Sequence, residues 1–292
     1  MAKTALVTGA NGGIGRALTF ELVKRGYVVY ATDIVFSDET TELFDANDKV
    51  KKYIMDVTSQ DAVVEIREIV KADTAGQLDL LYCNAGRPVV AMATDVTDEE
   101  IQSLFELNLF AQMRLVREFV KMIIPTKGTI VFSGSVTRGI PLHANCLYTS
   151  SKAALDQYAS TLQCELRNYG VKVIDVIGGY IKTPIFHAGE NYQIPQDSIY
   201  NFEEYKVAFD KKAEVLLKNS ASLGMPPEEF AKRTLDQVEK ANLNTLRVYE
   251  GTNSGRMSLL QTFLPQKALI NHILNLFGFN FDYRKGSKYV KE

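Results

Sequence analysis

Tyr148 and Lys152 stand four residues apart in the segment YTSSK. On a helix this spacing puts both side chains on one face, within reach of each other. An ammonium beside a phenol favours the phenolate and is expected to lower the tyrosine pKa. A tyrosine tuned in this way can give or take a proton near neutral pH. Ser135 lies thirteen residues upstream, at the end of the run IVFSGS. A hydroxyl there can hydrogen-bond a reacting oxygen. Taken alone, Tyr-x3-Lys is also the pattern of a surface helix pair, so its meaning depends on the rest of the chain.

A second group of residues suits a phosphate. Gly9, Gly13 and Gly15 sit in TGANGGIGRA, with Asn11 and Ile14 among them. The segment joins the apolar run TALVT to a helical pattern. Glycine permits the tight turn, the absent side chains let a pyrophosphate approach the backbone, and the following helix points its first amides at the phosphates. A glycine-rich turn without a ligand would look similar. Asp33 adds specificity, because it ends the run YVVYATD twenty residues after Gly13. An acid at that place reaches an adenosine ribose and accepts hydrogen bonds from its hydroxyls. It repels a 2′-phosphate, and no basic residue follows it directly. Arg16, inside the helix, is not expected to offset that charge. The expected cofactor is NAD(H) in preference to NADP(H).

These residues need elements to position them. Strands are expected over 4–8, 27–33, 50–56, 78–86, 128–135 and 171–179, with a last one over 245–251. Helical patterns cover 13–26, 59–72, 98–124 (one long helix or two in series), 148–170 and 226–241, and a charged helix follows the loop after residue 183. Nearly continuous apolar strands alternating with helices predict an α/β fold, a doubly wound parallel sheet of Rossmann type flanked by helices. There is no repeat and no linker, so a single domain spans 1–292. Residues 1–182 form its cofactor-binding and catalytic core, and 183–292 its substrate lid and C-terminal helices.

Composition excludes several classes. The 292 residues carry a net charge of −2, which gives no reason to expect nucleic-acid binding. The start of the chain, MAKTALVTGA, lacks the pattern of a signal peptide. Cys83, Cys146 and Cys164 are odd in number and widely spaced, which suits a reducing, cytoplasmic setting. Three scattered histidines predict no metal site.

In combination, these motifs resemble the short-chain dehydrogenase/reductase family from residue 4 to about residue 185. TGANGGIG resembles its cofactor loop. Asp56 and Val57, in MDVT, stand where the family contacts adenine. CNAG resembles its Asn-Asn-Ala-Gly stretch, with Cys83 replacing the first asparagine and Asn84, Ala85 and Gly86 kept. Asn108, in FELNLF, falls where the family keeps a catalytic asparagine and completes a tetrad with Ser135, Tyr148 and Lys152. GGYIKTP resembles a Pro-Gly-x3-Thr segment in which Gly178 replaces the proline, a change expected to loosen it. Ile181 and Thr183 remain as nicotinamide contacts. The resemblance implies interconversion of a secondary alcohol and a ketone by hydride transfer. Tyr148 is the acid or base, Ser135 holds the oxygen, Lys152 lowers the tyrosine pKa and binds the nicotinamide ribose, and Asn108 holds a water of a proton relay. It also implies a homodimer or homotetramer.

The C-terminal third resembles fungal acyl-dihydroxyacetone phosphate reductases and, more distantly, 17β-hydroxysteroid and retinol dehydrogenases. That implies a hydrophobic substrate, with an NADPH-dependent lipid-intermediate reductase as the alternative enzyme. A nucleotide-sensing regulator is the non-enzyme alternative, disfavoured because the tetrad is complete. Val89, Val90, Thr137, His143, Tyr180, Ile185, Phe186, His187, Tyr192 and Tyr200 are expected around an apolar pocket. Arg87 and Arg138 are candidates for an anionic group, although solvated loop arginines are the commoner reading. The apolar tail 257–281 is too interrupted to cross a membrane. It is expected to cover the substrate pocket or a second subunit, with peripheral contact to a membrane or lipid-droplet surface as the alternative.

Overall fold

The computed structural model describes residues 2–183, 192–286 and 288–290. Seven parallel strands form one sheet in the order β3-β2-β1-β4-β5-β6-β7. They are β1 (Thr4–Thr8), β2 (Val28–Asp33), β3 (Val50–Ile54), β4 (Leu80–Cys83), β5 (Thr129–Ser135), β6 (Lys172–Gly178) and β7 (Arg247–Glu250). The inner strands β1, β4 and β5 are almost wholly buried, as helices on both faces require. β3 and β7 are the edges. Lys51 and Lys52 on β3 charge one edge and so discourage further strand pairing.

One face of the sheet packs against α1 (Gly13–Lys24) and α8 (Pro227–Lys240), through Leu18, Leu22, Phe230, Leu235 and Val238. The other face packs against α3 (Gln60–Asp73), α5 (Ala111–Ile123) and α6 (Cys146–Leu166), through Ile66, Leu115, Phe119, Leu155 and Leu162. A short helix, α2 (Asp38–Asp45), follows β2 and was not expected. Its signal is Ser37, whose side chain accepts a hydrogen bond from the Thr40 amide, followed by Asp38 and Glu39 in the first turn.

The expected long helix over 98–124 is three pieces. α4 (Asp98–Phe105) opens with a capping box of Thr97 and Glu100, then a π-helical turn covers Glu106–Phe110, and α5 follows. Such turns cluster at functional sites, and Asn108 sits in this one. Beyond the carboxyl ends of the strands, α7 (Glu203–Leu223), α9 (Ser254–Phe263) and α10 (Gln266–Phe277) gather a third core of Tyr205, Phe209, Ile273, Phe277 and Phe279. The strand order reverses between β1 and β4. In open α/β sheets a ligand crevice opens at the carboxyl ends of the strands flanking that reversal.

Candidate active site

A cavity of about 1080 Å³ occupies that crevice. It runs from Asp33 and the glycine loop, past Tyr148 and Lys152, to Phe209, Ile273 and Phe277.

Backbone chemistry shapes the first end. Gly9 has φ +67°, a conformation L side chains rarely adopt. A Cβ on Gly15 would stand 2.0 Å from the Gly9 carbonyl oxygen, so only glycine lets α1 start against β1. No side chain caps α1, and the residues of its first turn line the cavity. The Asp33 carboxylate is fixed by two amides, accepting from Asn11 at 2.9 Å and from Ile34 at 2.7 Å. Uncapped helix amides, a close-approach glycine turn and an oriented carboxylate fit a dinucleotide.

The expected residues Gly9, Asn11, Gly13, Ile14, Gly15, Asp33, Val57, Asn84, Ala85, Gly86, Ile181 and Thr183 all line the cavity. Asp56 does not. Its carboxylate accepts from the Thr58 amide and hydroxyl, while Met55 and Val57 on either side face the cavity. Arg16 lies in α1, as expected. Its side chain joins the cavity wall and pairs with Glu39 at 3.0 Å. Asn84 ties three strands together: its amide nitrogen donates to the Thr8 and Gly9 carbonyls, and its oxygen accepts from Ser133. The segment after β6 is firmly held despite Gly178. Tyr180 and Thr252 exchange backbone hydrogen bonds, and Lys182 donates to the Met225 carbonyl at 2.9 Å.

At the middle of the cavity, Tyr148 and Lys152 share one face of α6, with the Lys152 ammonium 5.6 Å from the centre of the Tyr148 ring. Lys152 is buried and donates to the Ser133 carbonyl at 2.8 Å. Burial pulls its pKa down to about 8, a shift that Asp175 opposes only when it is ionised. The phenol does not follow the expected direction. Burial raises the Tyr148 pKa above its ordinary 10, and a hydrogen bond with Ser135 only partly offsets this. The Ser135 hydroxyl also accepts from the Thr137 amide at 3.1 Å and the Thr137 hydroxyl at 2.9 Å, which fixes its direction.

Asn108 is fully buried. Its side-chain nitrogen donates to the Arg87 carbonyl at 2.9 Å and to Ser151 at 3.1 Å, and its oxygen accepts from the Arg87 amide at 3.0 Å. Gly86 separates Asn108 from Lys152 so closely that a Cβ there would lie 3.1 Å from one and 3.7 Å from the other. The tetrad is therefore brought to one place by β5, α6 and the π-helical turn.

At the far end, Val90, Thr137 and Tyr180 line the cavity as expected, together with Arg87. Val89, His143, Tyr192 and Tyr200 do not line it. His143 stacks on Phe279 at 3.9 Å, and burial with the nearby Lys212 lowers its pKa to about 4. Ile185, Phe186 and His187 lie outside the described residues. Arg138 turns away and faces Asp156 at 3.6 Å. The tail supplies the rest of the wall through Met257, Ile273, Leu276 and Phe277, and among the described residues no helix is long and apolar enough to span a membrane. Sequence reading missed Lys212 on α7, which lines this wall, because it stands in a run of ordinary helix charges. It also missed Asp175, a carboxyl buried in β6, although a charge inside an apolar strand run was a visible signal.

Comparison with known proteins agrees with this geometry. The short chain dehydrogenase family model matches residues 3–193. The chain is 34% identical over 265 residues to the NADPH-dependent 1-acyldihydroxyacetone phosphate reductase of Saccharomyces cerevisiae, covering 90% of this chain and 87% of that one. It is 32% identical to a short-chain dehydrogenase of Neurospora crassa, covering 94% and 92%. A solved short-chain dehydrogenase from Streptomyces avermitilis superposes with a TM-score of 0.74 at 25% identity, over 95% of this chain and 98% of that one. The chain belongs to the short-chain dehydrogenase family and is an NAD(P)-dependent oxidoreductase.

Proposed function

We propose that the protein interconverts a hydrophobic ketone and its secondary alcohol, uses NAD(H), and moves the proton through Tyr148. The observation that carries this reading is one continuous cavity. It places an oriented Asp33 carboxylate at one end, Tyr148, Ser135 and Lys152 in the middle, and an apolar chamber at the other end.

The bound nicotinamide supplies or accepts the hydride. The chain's own residues do the rest. Ser135 Oγ orients the substrate oxygen, and Tyr148 Oη donates a proton to it during reduction or removes one during oxidation. A phenol whose pKa is raised is protonated at neutral pH, which is the form that serves reduction. Lys152 Nζ, anchored on Ser133, adds positive charge beside the phenol and is placed to meet a ribose hydroxyl. Asn108 holds the Arg87 backbone and the π-helical turn next to Lys152, where a water can connect to the ammonium.

Asp33 supports NADH, since its carboxylate accepts from a ribose diol and repels a 2′-phosphate. The second reading is an NADPH-dependent reductase of a lipid intermediate. Two observations favour it: Arg16 lines the cavity next to Asp33 and Ser37, and the yeast relative is named for NADPH. Fluorescence titration with NADH and NADPH, on the native protein and on Asp33→Ala, decides between them. NADH preference that collapses in the variant is the expected result. Tighter NADPH binding by the native protein overturns the NADH assignment and moves the lipid-intermediate reading to first place.

A further inference from the structure

Lys212 is 3% exposed, yet it stands in the wall of the substrate chamber. Its ammonium donates to the His143 carbonyl at 2.6 Å and to the Asn145 side-chain oxygen at 2.8 Å. The ring of Phe209 lies 5.7 Å away. Among the described residues no carboxylate pairs with it, and its third N–H has no acceptor. An ammonium removed from water without a counter-charge is costly, and proteins ordinarily pair it. Two neutral oxygens compensate for only part of that cost. The partly buried cations Arg247 and Arg25 do pair, with Asp156 and with three acids. The other buried lysine, Lys152, also has no salt bridge among the described residues, and it stands beside Tyr148 in the same cavity.

The position has a consequence for the ligand. Asn145 precedes α6 directly, and Tyr148 lies within the first turn of that helix. Asn145, which accepts from the cation, is about one helical turn from Tyr148, and Asn145, Tyr148 and Lys212 all border the same chamber. Around them Leu142, Leu216, Ile273 and Phe277 supply apolar wall.

We infer that Lys212 is a specificity-determining residue that receives an anionic oxygen group, phosphate or carboxylate, of an amphiphilic substrate whose carbonyl meets Tyr148. This rests on the oxidoreductase reading of the same cavity and names its substrate class. The anion supplies the missing counter-charge, and the apolar remainder of the substrate lies against α7 and α10. A merely structural Lys212 would brace the loop at His143 and Asn145 and would not distinguish ligands by charge.

The test is equilibrium binding, which needs no turnover. Dodecyl phosphate, dodecanoate and dodecanol, each below its micelle concentration, are titrated calorimetrically into the NADH-saturated native protein, Lys212→Met and Lys212→Gln. The native protein is expected to bind at least one of the anions roughly tenfold or more tighter than the alcohol, in keeping with a charge-assisted hydrogen bond. That preference is expected to vanish in both variants while dodecanol affinity stays within about threefold. Lys212→Gln keeps a donor for the His143 carbonyl, so it serves if the methionine variant does not fold. Advantage for phosphate alone, or for both anions, supports the inference and sorts the ligand chemistry. Equal affinity of the native protein for all three ligands overturns it. So does an anion preference that survives in the variants, or a loss that is equal for anions and alcohol. Absence of any ketone reduction with either NADH or NADPH would count against the oxidoreductase reading and would leave these binding results standing.

Discussion

At the scale of single residues, the proposed proton donor is Tyr148, and its environment sets the pH dependence to expect. Tyr148 is raised above 10 by burial, so it remains protonated through neutral pH. Lys152 is lowered to about 8 and is charged only below that value. Ketone reduction should therefore be level from about pH 6 to 7 and fall through pH 8 and above, as the lysine charge and then the phenol proton are lost. Alcohol oxidation should rise with pH over the same range, because it needs the phenolate. Initial rates in both directions between pH 6 and 10 check this, and oxidation fastest at pH 6 would contradict it. That Ser135, Tyr148, Lys152 and the glycine loop would border one cavity was legible in the sequence, because their spacing is set by the helix and by strand ends. The direction of the phenol shift was not. It depends on how deeply the ring is enclosed, and local spacing carries no record of that.

At the scale of elements, β6, α6 and β7 share a buried acidic network. Asp156 on α6 is held by Arg247 of β7 at 2.7 and 2.9 Å, which keeps it charged. Asp175 on β6 is buried beside it, and burial together with the Asp156 charge raises its pKa to about 8. Neither Asp175 oxygen has a hydrogen-bond partner among the described residues, as suits a carboxyl that burial keeps neutral. Gly134 on β5 makes room for it, since a Cβ there would come within 2.1 Å of the carboxyl oxygen. The folded state thus holds a proton that the unfolded chain releases near 3.8. The stability from this group is complete below about pH 4 and is lost as pH rises to about 8. Asp175→Asn keeps the donor without the titration. Urea midpoints are expected to fall less between pH 5 and 8 in the variant than in the native protein, and parallel slopes would refute the assignment.

Elements also show where sequence reading stops. The strands β1, β4, β5 and β6 were legible because burial on both faces makes them continuous apolar runs. The last strand shortened to four residues at an exposed edge, and α2 went unseen because its apolar contribution is little more than Phe44. The π-helical turn at Asn108 has no periodic signature of its own. It accompanies the contact between Asn108 and the Arg87 backbone, twenty-one residues away.

At the scale of the whole molecule, the sheet reversal positions the glycine-loop end of the cavity and the C-terminal helices close its apolar end. The apolar tail proves to be chamber wall, through Ile273, Leu276 and Phe277, and it still leaves Leu259 and Phe263 exposed. Termination after Leu264 removes α10 and uncovers Phe209 on α7. Turnover of long-chain ketones should fall by roughly tenfold or more as buried apolar contact is lost. NADH affinity should stay within about threefold, because the glycine loop and Asp33 belong to the opposite end of the cavity. Loss of NADH binding in that variant would show that the two ends are not separable. Sequence reading left the role of the tail open between pocket, partner and membrane, because an amphipathic helix has the same pattern against any apolar surface.

The most direct test of the whole account is NADH consumption with a series of apolar ketones, measured for the native protein and for Tyr148→Phe, with NADH binding followed in parallel. The account predicts ketone-dependent consumption by the native protein, a fall of about 10²- to 10⁴-fold in the variant, and unchanged NADH affinity. Native-like turnover in Tyr148→Phe would contradict the assignment of Tyr148 as the proton donor.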